Sequence, residues 1–270
     1  MSGIVSLADA TDAKMFGGKA VQLGTAIRAG LPVPPGLALS CAAVRAVSAG
    51  EPGPLSALAR LVDGDAPRAV RSSAVDEDSA EASFAGTHCS LLGVRGSSAV
   101  VAAVRTVHAS GAAPAAVAYR NRMGLGSAAG MAVVVQELVD AEVSGVMFTR
   151  NPVTGDDERV IEASWGLGEV VVAGLVTPDR FVLDRCGGLR DAMSGEKDLA
   201  IRCSPAGGVV EETITGELVD ELCLGDGQLA ELQRLALACD LAYGCTTHDI
   251  EFAFRDGAVY LLQRRPITRG

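Results

Sequence analysis

The sequence predicts an α+β fold, and three observations predict it. Ile250, Phe252 and Phe254 alternate with Glu251, Ala253 and Arg255, Asp256-Gly257 supplies a turn, and Ala258 to Gln263 reads as the return strand stopped by Pro266, the pattern of a β-hairpin. Residues 131–164 hold three strand-like runs, expected as neighbours in one antiparallel sheet. Helical spacing recurs over Ala20 to Ala29, residues 98–123 and Leu229 to Tyr243. At 270 residues the chain is long enough for one large domain or two small ones.

Composition narrows the function classes. A net charge of −10 argues against a general binder of nucleic acid or anionic membranes, although a locally basic pocket could still hold a nucleotide. The seven cysteines are odd in number and form no C-x-x-C pair, which disfavours zinc and disulfide frameworks and fits reduced thiols in a cytosol. No apolar run reaches transmembrane length, and the first residues lack a basic stretch followed by an apolar one. A cytoplasmic protein with no membrane contact is expected.

Along the chain, Phe16-Gly17-Gly18-Lys19 turns into the first helix, which Gly30 closes. Glycines admit a phosphate to the backbone and Lys19 could reach its oxygens, but the P-loop spacing is absent, and a glycine turn with a surface lysine explains the same residues. Prolines 32, 34 and 35 impose an extended path into a strand ending near Ser40. Residues 41–70 read as one or two short helices broken at Glu51-Pro52-Gly53-Pro54. A short strand then carries Arg71-Ser72-Ser73 towards an acidic loop. Ser83-Phe84-Ala85-Gly86-Thr87-His88-Cys89-Ser90 makes a second loop of phosphate size, while a lone Arg71 would also serve as a surface ion-pair partner.

Met131 to Val139 is a buried strand whose polar end, Gln136-Glu137, could meet an adenine edge. Strands are also expected at Ala141–Asn151, Val160–Ser164 and Thr177–Asp184, with residues 184–216 as an exposed, turn-rich excursion. Leu232, Leu235, Ala236 and Cys239 give the next helix its apolar face, and Gly244 ends it.

In the closing hairpin, a turn at Asp256-Gly257 brings Glu251 and Gln263 near each other across the strands. Arg265 shares a face with Gln263, because side chains two apart along a strand point the same way. One face would then carry a carboxylate, an amide oxygen and a guanidinium. Mg²⁺ takes oxygen ligands from one or two such side chains and completes its shell with substrate phosphates. An arginine beside it suits a phosphoryl group. The same residues would also serve an ordinary hairpin whose polar face meets water.

Seven motifs in order carry a resemblance: Gly17-Gly18-Lys19, Val33-Pro34-Pro35-Gly36, Val70-Arg71-Ser72-Ser73, Ser83-Phe84-Ala85-Gly86, Ser144 to Pro152, Trp165-Gly166-Leu167-Gly168-Glu169 and Leu262 to Thr268. Together they resemble the ATP-binding domain of the phosphoenolpyruvate synthase, pyruvate phosphate dikinase and rifampin phosphotransferase family. The resemblance implies an ATP-grasp fold in which two lobes clamp ATP, here a compact first lobe over 1–135 and a second over 136–270. It implies phosphate contacts at Lys19, Arg71 and Arg265 and a phosphate-covering loop at Gly86 and Ser90. It further implies an adenine hinge at Gln136, Glu137 and Leu138, and magnesium ligands at Glu251 and Gln263.

The family passes its phosphoryl group to a histidine on a swivelling domain, and none of His88, His108 and His248 lies in a segment of that kind. The resemblance therefore implies a histidine-bearing domain or protein in trans and a small-molecule acceptor beyond it, with AMP and phosphate released. Two other readings stand beside it: a self-sufficient kinase that transfers the γ-phosphate directly, and a non-catalytic ATP-binding module. Thr246-Thr247-His248 occupies the place where the family commonly has Pro-Gln, which reads as a tolerated loop substitution.

Overall fold

A computed structural model describes residues 3–74, 89–114, 117 and 130–267. It divides into one unit of Met1–Ile27, Pro35–Leu138 and Pro205–Gly208, and a second of Arg28–Pro34, Val139–Ser204 and Val209–Gly270.

The first unit is built on valine-rich strands. Strands β1 (Ile4–Ser6), β2 (Gly36–Leu39), β3 (Arg68–Ala74), β4 (Ser90–Val94) and β5 (Met131–Glu137) form a five-stranded sheet in the order β1-β2-β5-β3-β4. Every pairing is antiparallel. With a period of two, Val70, Val133 and Val135 fall on one face. That face packs on α2 (Cys41–Ala49), α3 (Pro52–Leu61) and α4 (Ser97–Ser110), through Val44, Val47, Leu58, Val100, Val104 and Val107. Each such side chain contributes about 1.5–3 kcal/mol on full burial. The expected break after α2 is Gly50 in the left-handed region (φ 84°), with Pro52 opening α3. Helix α1 (Ala13–Arg28) is interrupted at Gly17, where φ is 78° and ψ 166°.

The second unit holds a six-stranded sheet, ordered β13-β12-β6-β7-β8-β9. Its strands are β6 (Val143–Phe148), β7 (Glu158–Trp165), β8 (Asp179–Asp184), β9 (Leu189–Met193), β12 (His248–Arg255) and β13 (Ala258–Pro266). Strands β10 (Leu199–Cys203) and β11 (Val209–Thr213) make a separate hairpin. Met147, Ile161, Phe181, Ile250, Phe252 and Phe254 bury one face of the large sheet. Helix α5 (Asp226–Tyr243) buries the predicted Leu232, Leu235, Ala236 and Cys239, and Gly244 caps it at φ 64°. Among the described residues no helix is long and apolar enough to cross a membrane.

Two expectations are corrected. Strand β5 does not join β6 in one sheet: β5 pairs with β2 and β3, whereas β6 pairs with β7 and β12. The five residues between them, Leu138-Val139-Asp140-Ala141-Glu142, contain no turn-forming pair, so the chain passes from one sheet to the next instead of folding back. The stretch 184–216 is not simply an exposed excursion. It adds edge strand β9 and the β10–β11 hairpin, and it buries Lys197, Ala200 and Ile201. Lys197 Nζ lies 2.6 Å from Asp179 Oδ1, both side chains fully buried, while Asp179 Oδ2 accepts the Cys223 amide at 2.6 Å.

Candidate nucleotide and metal site

In the second unit, the turn sets Arg255 opposite Ala258 and Phe252 opposite Leu261, a register that alone would place Glu251 opposite Leu262 and Gln263 on the other face. Asp256 and Gly257 take φ of 50° and 75°, and Glu251 stands opposite Gln263. Asp249 stands opposite Arg265. A bulge at Leu262, between the Phe252–Leu261 and Glu251–Gln263 pairs, displaces the pairing by one residue and so sets Gln263 opposite Glu251. Asp249, Glu251, Gln263 and Arg265 therefore share one face, opposite the Ile250 and Phe252 core.

Arg265 Nη2 lies 3.8 Å from Glu251 Oε1, with the two side chains 25% and 21% exposed. Both are open enough to exchange partners with an incoming ligand. Gln263 is 2% exposed. Burial pushes the Asp249 carboxyl up to about 6; the Glu251 charge adds to this and Arg265 opposes it. Sequence reasoning did not single out Asp249, although its position two residues before Glu251 already put it on that face. The sheet extends the row: Glu251 faces Val146 of β6, which faces Glu162 of β7.

In the first unit, Lys19 is buried, and its Nζ donates to the Ser72 carbonyl at 2.8 Å. The Gly17-Gly18-Lys19 turn is seated on β3. Ser73 Oγ donates to the Phe16 carbonyl at 2.8 Å and accepts the Ala20 amide at 3.1 Å. A Cβ on Gly17 would stand 2.1 Å from the Ser73 carbonyl oxygen, so no other residue fits there. Arg71 is directly opposite Ser90 on β4 and Val134 on β5. Gln136, two residues beyond Val134, shares their face, and it is the face turned away from the valine core. Gln136 is buried, Glu137 exposed and Leu138 half-buried. The Glu137 and Leu138 amides donate to the Pro35 and Pro67 carbonyls at 2.9 and 3.0 Å, which fixes this stretch as β5 ends. Gly86, with Ser83 to His88, lies outside the described residues.

The hairpin face offers hard oxygen donors beside a guanidinium, the donor set that suits Mg²⁺ together with phosphate. Among the described residues, no group of three or more His, Cys, Asp or Glu could hold a metal by itself. The model described as pyruvate phosphate dikinase, AMP/ATP-binding domain, matches residues 55–270. The chain belongs to that family.

Among its relatives, the probable phosphoenolpyruvate synthase of Methanothermobacter thermautotrophicus is 43% identical over 211 residues, spanning 77% of this chain and 31% of that protein. The prodigiosin synthesizing transferase PigC of Serratia marcescens is 39% identical over 283 residues, spanning 94% and 31%. The uncharacterized phosphotransferase YvkC of Bacillus subtilis is 40% identical over 202 residues, spanning 74% and 24%. This dikinase-family chain thus spans a third or less of the length of these relatives. A D-alanine–D-alanine ligase from Bacillus anthracis complexed with ATP covers 97% of the chain, and the chain 58% of it, at 11% identity and a TM-score of 0.41. A likeness that low carries no argument here.

Proposed function

We propose that this chain is the ATP-grasp-type nucleotide-binding part of a dikinase-type phosphotransferase. It uses ATP to phosphorylate a histidine on a swivelling domain or separate protein, which relays the phosphoryl group to a small-molecule acceptor. The observation that carries the reading is the β12–β13 register, which sets Glu251 opposite Gln263 and Asp249 opposite Arg265 on one face. Family membership and relatives named as phosphoenolpyruvate synthase and phosphotransferase support it.

Glu251 and the Gln263 amide oxygen are the residues that would hold Mg²⁺. When bound, the ion neutralises charge that develops on the phosphates. Arg265 gives up part of its contact with Glu251 and donates to a phosphate oxygen, a charge-assisted bond of about 1.5–3 kcal/mol. Lys19 and Arg71 serve as phosphate contacts of the first unit, with Ser90 beside Arg71. Gln136 to Leu138 supply the adenine edge. Arginine and lysine placed in advance supply electrostatic stabilisation without reorganising during transfer.

The test is product analysis. The chain is incubated with Mg²⁺ and ATP, alone and with a histidine-bearing domain taken from a full-length relative, and AMP is separated from ADP. AMP that appears only with the added domain supports the relay. ADP from the chain alone overturns it in favour of direct γ-phosphate transfer. Tight ATP binding without turnover in either mixture identifies a non-catalytic module.

A further inference from the structure

Beneath the hairpin's oxygen-bearing face lies a second polar constellation, buried on the opposite side of the same two strands. Arg264 is 4% exposed and His248 fully buried. Arg264 Nε and Nη2 both point at His248 Nδ1, at 2.9 and 2.7 Å. Nη2 also donates to Cys245 Sγ at 3.0 Å, and the guanidinium carbon stands 4.3 Å over the Tyr243 ring. Because Arg264 donates to Nδ1, the imidazole proton sits on Nε2, which lies 3.1 Å from Asp240 Oδ1 but outside hydrogen-bond geometry. Asp240 is in turn held by Arg185 Nη2 at 2.7 Å. The His248 amide donates to Thr149 Oγ1 at 2.7 Å, and Thr149 Oγ1 donates to the Thr246 carbonyl at 3.0 Å. The start of β12 is thus tied to the end of β6.

We infer that the buried Arg264–His248 pair, with part-exposed Asp240 beside it, forms a clamp that positions Glu251 and Gln263. His248 pairs with Pro266 and Ile250 with Arg264, so the Arg264–His248 contact runs diagonally between the strands. It braces the end of the hairpin that carries Asp249 and Arg265. At the other side of Glu251 the bulge interrupts the ladder. Glu251 and Gln263 therefore sit between a bulge and a clamp, and the clamp resists slippage of one strand past the other. Gln263 and Arg265 flank Arg264 directly, so its anchoring fixes the direction in which both point. His248 is consequently more than a tolerated loop residue: its Nδ1 faces both Arg264 donors, and only a side chain that presents an acceptor there replaces it.

The inference rests on the hairpin face being the metal–phosphate site. Its test is calorimetric binding of ATP to the full chain, with Mg²⁺ and with chelator, for the parent and for Arg264→Met, His248→Leu and His248→Gln. Thermal melting of each variant is measured alongside. Outer partners of metal ligands typically change metal affinity about 10–100-fold. Arg264→Met and His248→Leu are expected to lose about tenfold of the Mg²⁺-dependent gain in ATP affinity while chelator-measured affinity holds. His248→Gln, which can accept from Arg264, is expected to stay within about threefold of the parent. Folded Arg264→Met and His248→Leu proteins with the parent's Mg²⁺-dependent gain would overturn the clamp as a positioning device. Should Leu prevent folding, a His248→Gln protein that folds but loses the gain would overturn it equally. A parent whose ATP affinity ignores Mg²⁺ would overturn the assignment of the hairpin face itself, and the clamp's role with it.

Discussion

Replacing His248 by glutamine should flatten the acid limb of the protein's stability profile. Burial, with the Arg264 charge adding to it, pushes His248 down to about 4 from its usual 6.5. The folded protein then binds fewer protons at this site than the unfolded chain throughout pH 4 to 6.5. Stability consequently rises with pH across that window, is fully present above about 6.5, and is lost as pH falls towards 4. Holding the ring at about 4 instead of 6.5 corresponds to about 3 kcal/mol over the whole window. Between pH 7 and pH 5 the parent should lose about 2 kcal/mol from this one residue. Because the ring is fully buried, solvent screening does not reduce the figure. Carboxylates titrate near the lower end of the range, so the informative quantity is the difference between parent and His248→Gln. Urea unfolding at pH 5, 6 and 7 measures it, followed by the fluorescence of Trp165, the chain's one tryptophan, whose indole donates to the Leu218 carbonyl at 2.8 Å. Parallel curves for the two proteins would refute a neutral, buried His248.

Three further outcomes are expected. Glu251→Ala should remove most of the Mg²⁺-dependent part of ATP affinity, at least tenfold or about 1.4 kcal/mol, as read by calorimetry with and without chelator; an undiminished dependence would sink the metal assignment. Gly17→Ala places a Cβ against the Ser73 carbonyl in a conformation essentially reserved for glycine, so melting should show a loss of about 1–3 kcal/mol from the backbone alone and more from the clash, whereas an unchanged melting temperature would contradict the seating of this turn on β3. Lys197→Met strands the buried Asp179 carboxylate, and unfolding should register a cost of about 3 kcal/mol; a loss below about 0.5 kcal/mol would mean the pair is not buried as described.

What was legible in the sequence follows from how local the determining physics is. The hairpin and its Asp-Gly turn were legible, but that turn alone sets Glu251 opposite Leu262; the bulge that brings Gln263 opposite Glu251, and onto its face, has no signature in the alternation. The buried stripe of α5 follows from a 3.6-residue period. The assignment of β5 and β6 to different sheets did not follow, since periodicity marks a strand but says nothing of its partner. The Asp179–Lys197 pair spans 18 residues and has no local signature at all. Cross-strand partners such as Arg71 and Ser90 were found only as separate motif members, and their juxtaposition belongs to the β3–β4 register.

The run Gln263-Arg264-Arg265 shows why adjacency in sequence is a poor guide to shared chemistry in a strand. The period of two sends Gln263 and Arg265 to the oxygen-bearing face and Arg264 to the opposite one. The two arginines carry the same charge yet meet different partners: Arg265 a half-exposed carboxylate at 3.8 Å, Arg264 a buried imidazole at 2.7–2.9 Å. Their removal should therefore fail differently. Loss of Arg265 takes the proposed phosphate contact away and leaves the strand register intact, so nucleotide affinity should fall with little change in melting. Loss of Arg264 leaves every proposed ligand in the sequence but releases the strands that aim them, so melting and Mg²⁺ dependence fall together. Two neighbouring substitutions with the same charge change and opposite patterns of effect would separate the two faces of one hairpin in a single experiment. Identical patterns would mean that the alternation described here does not hold in solution.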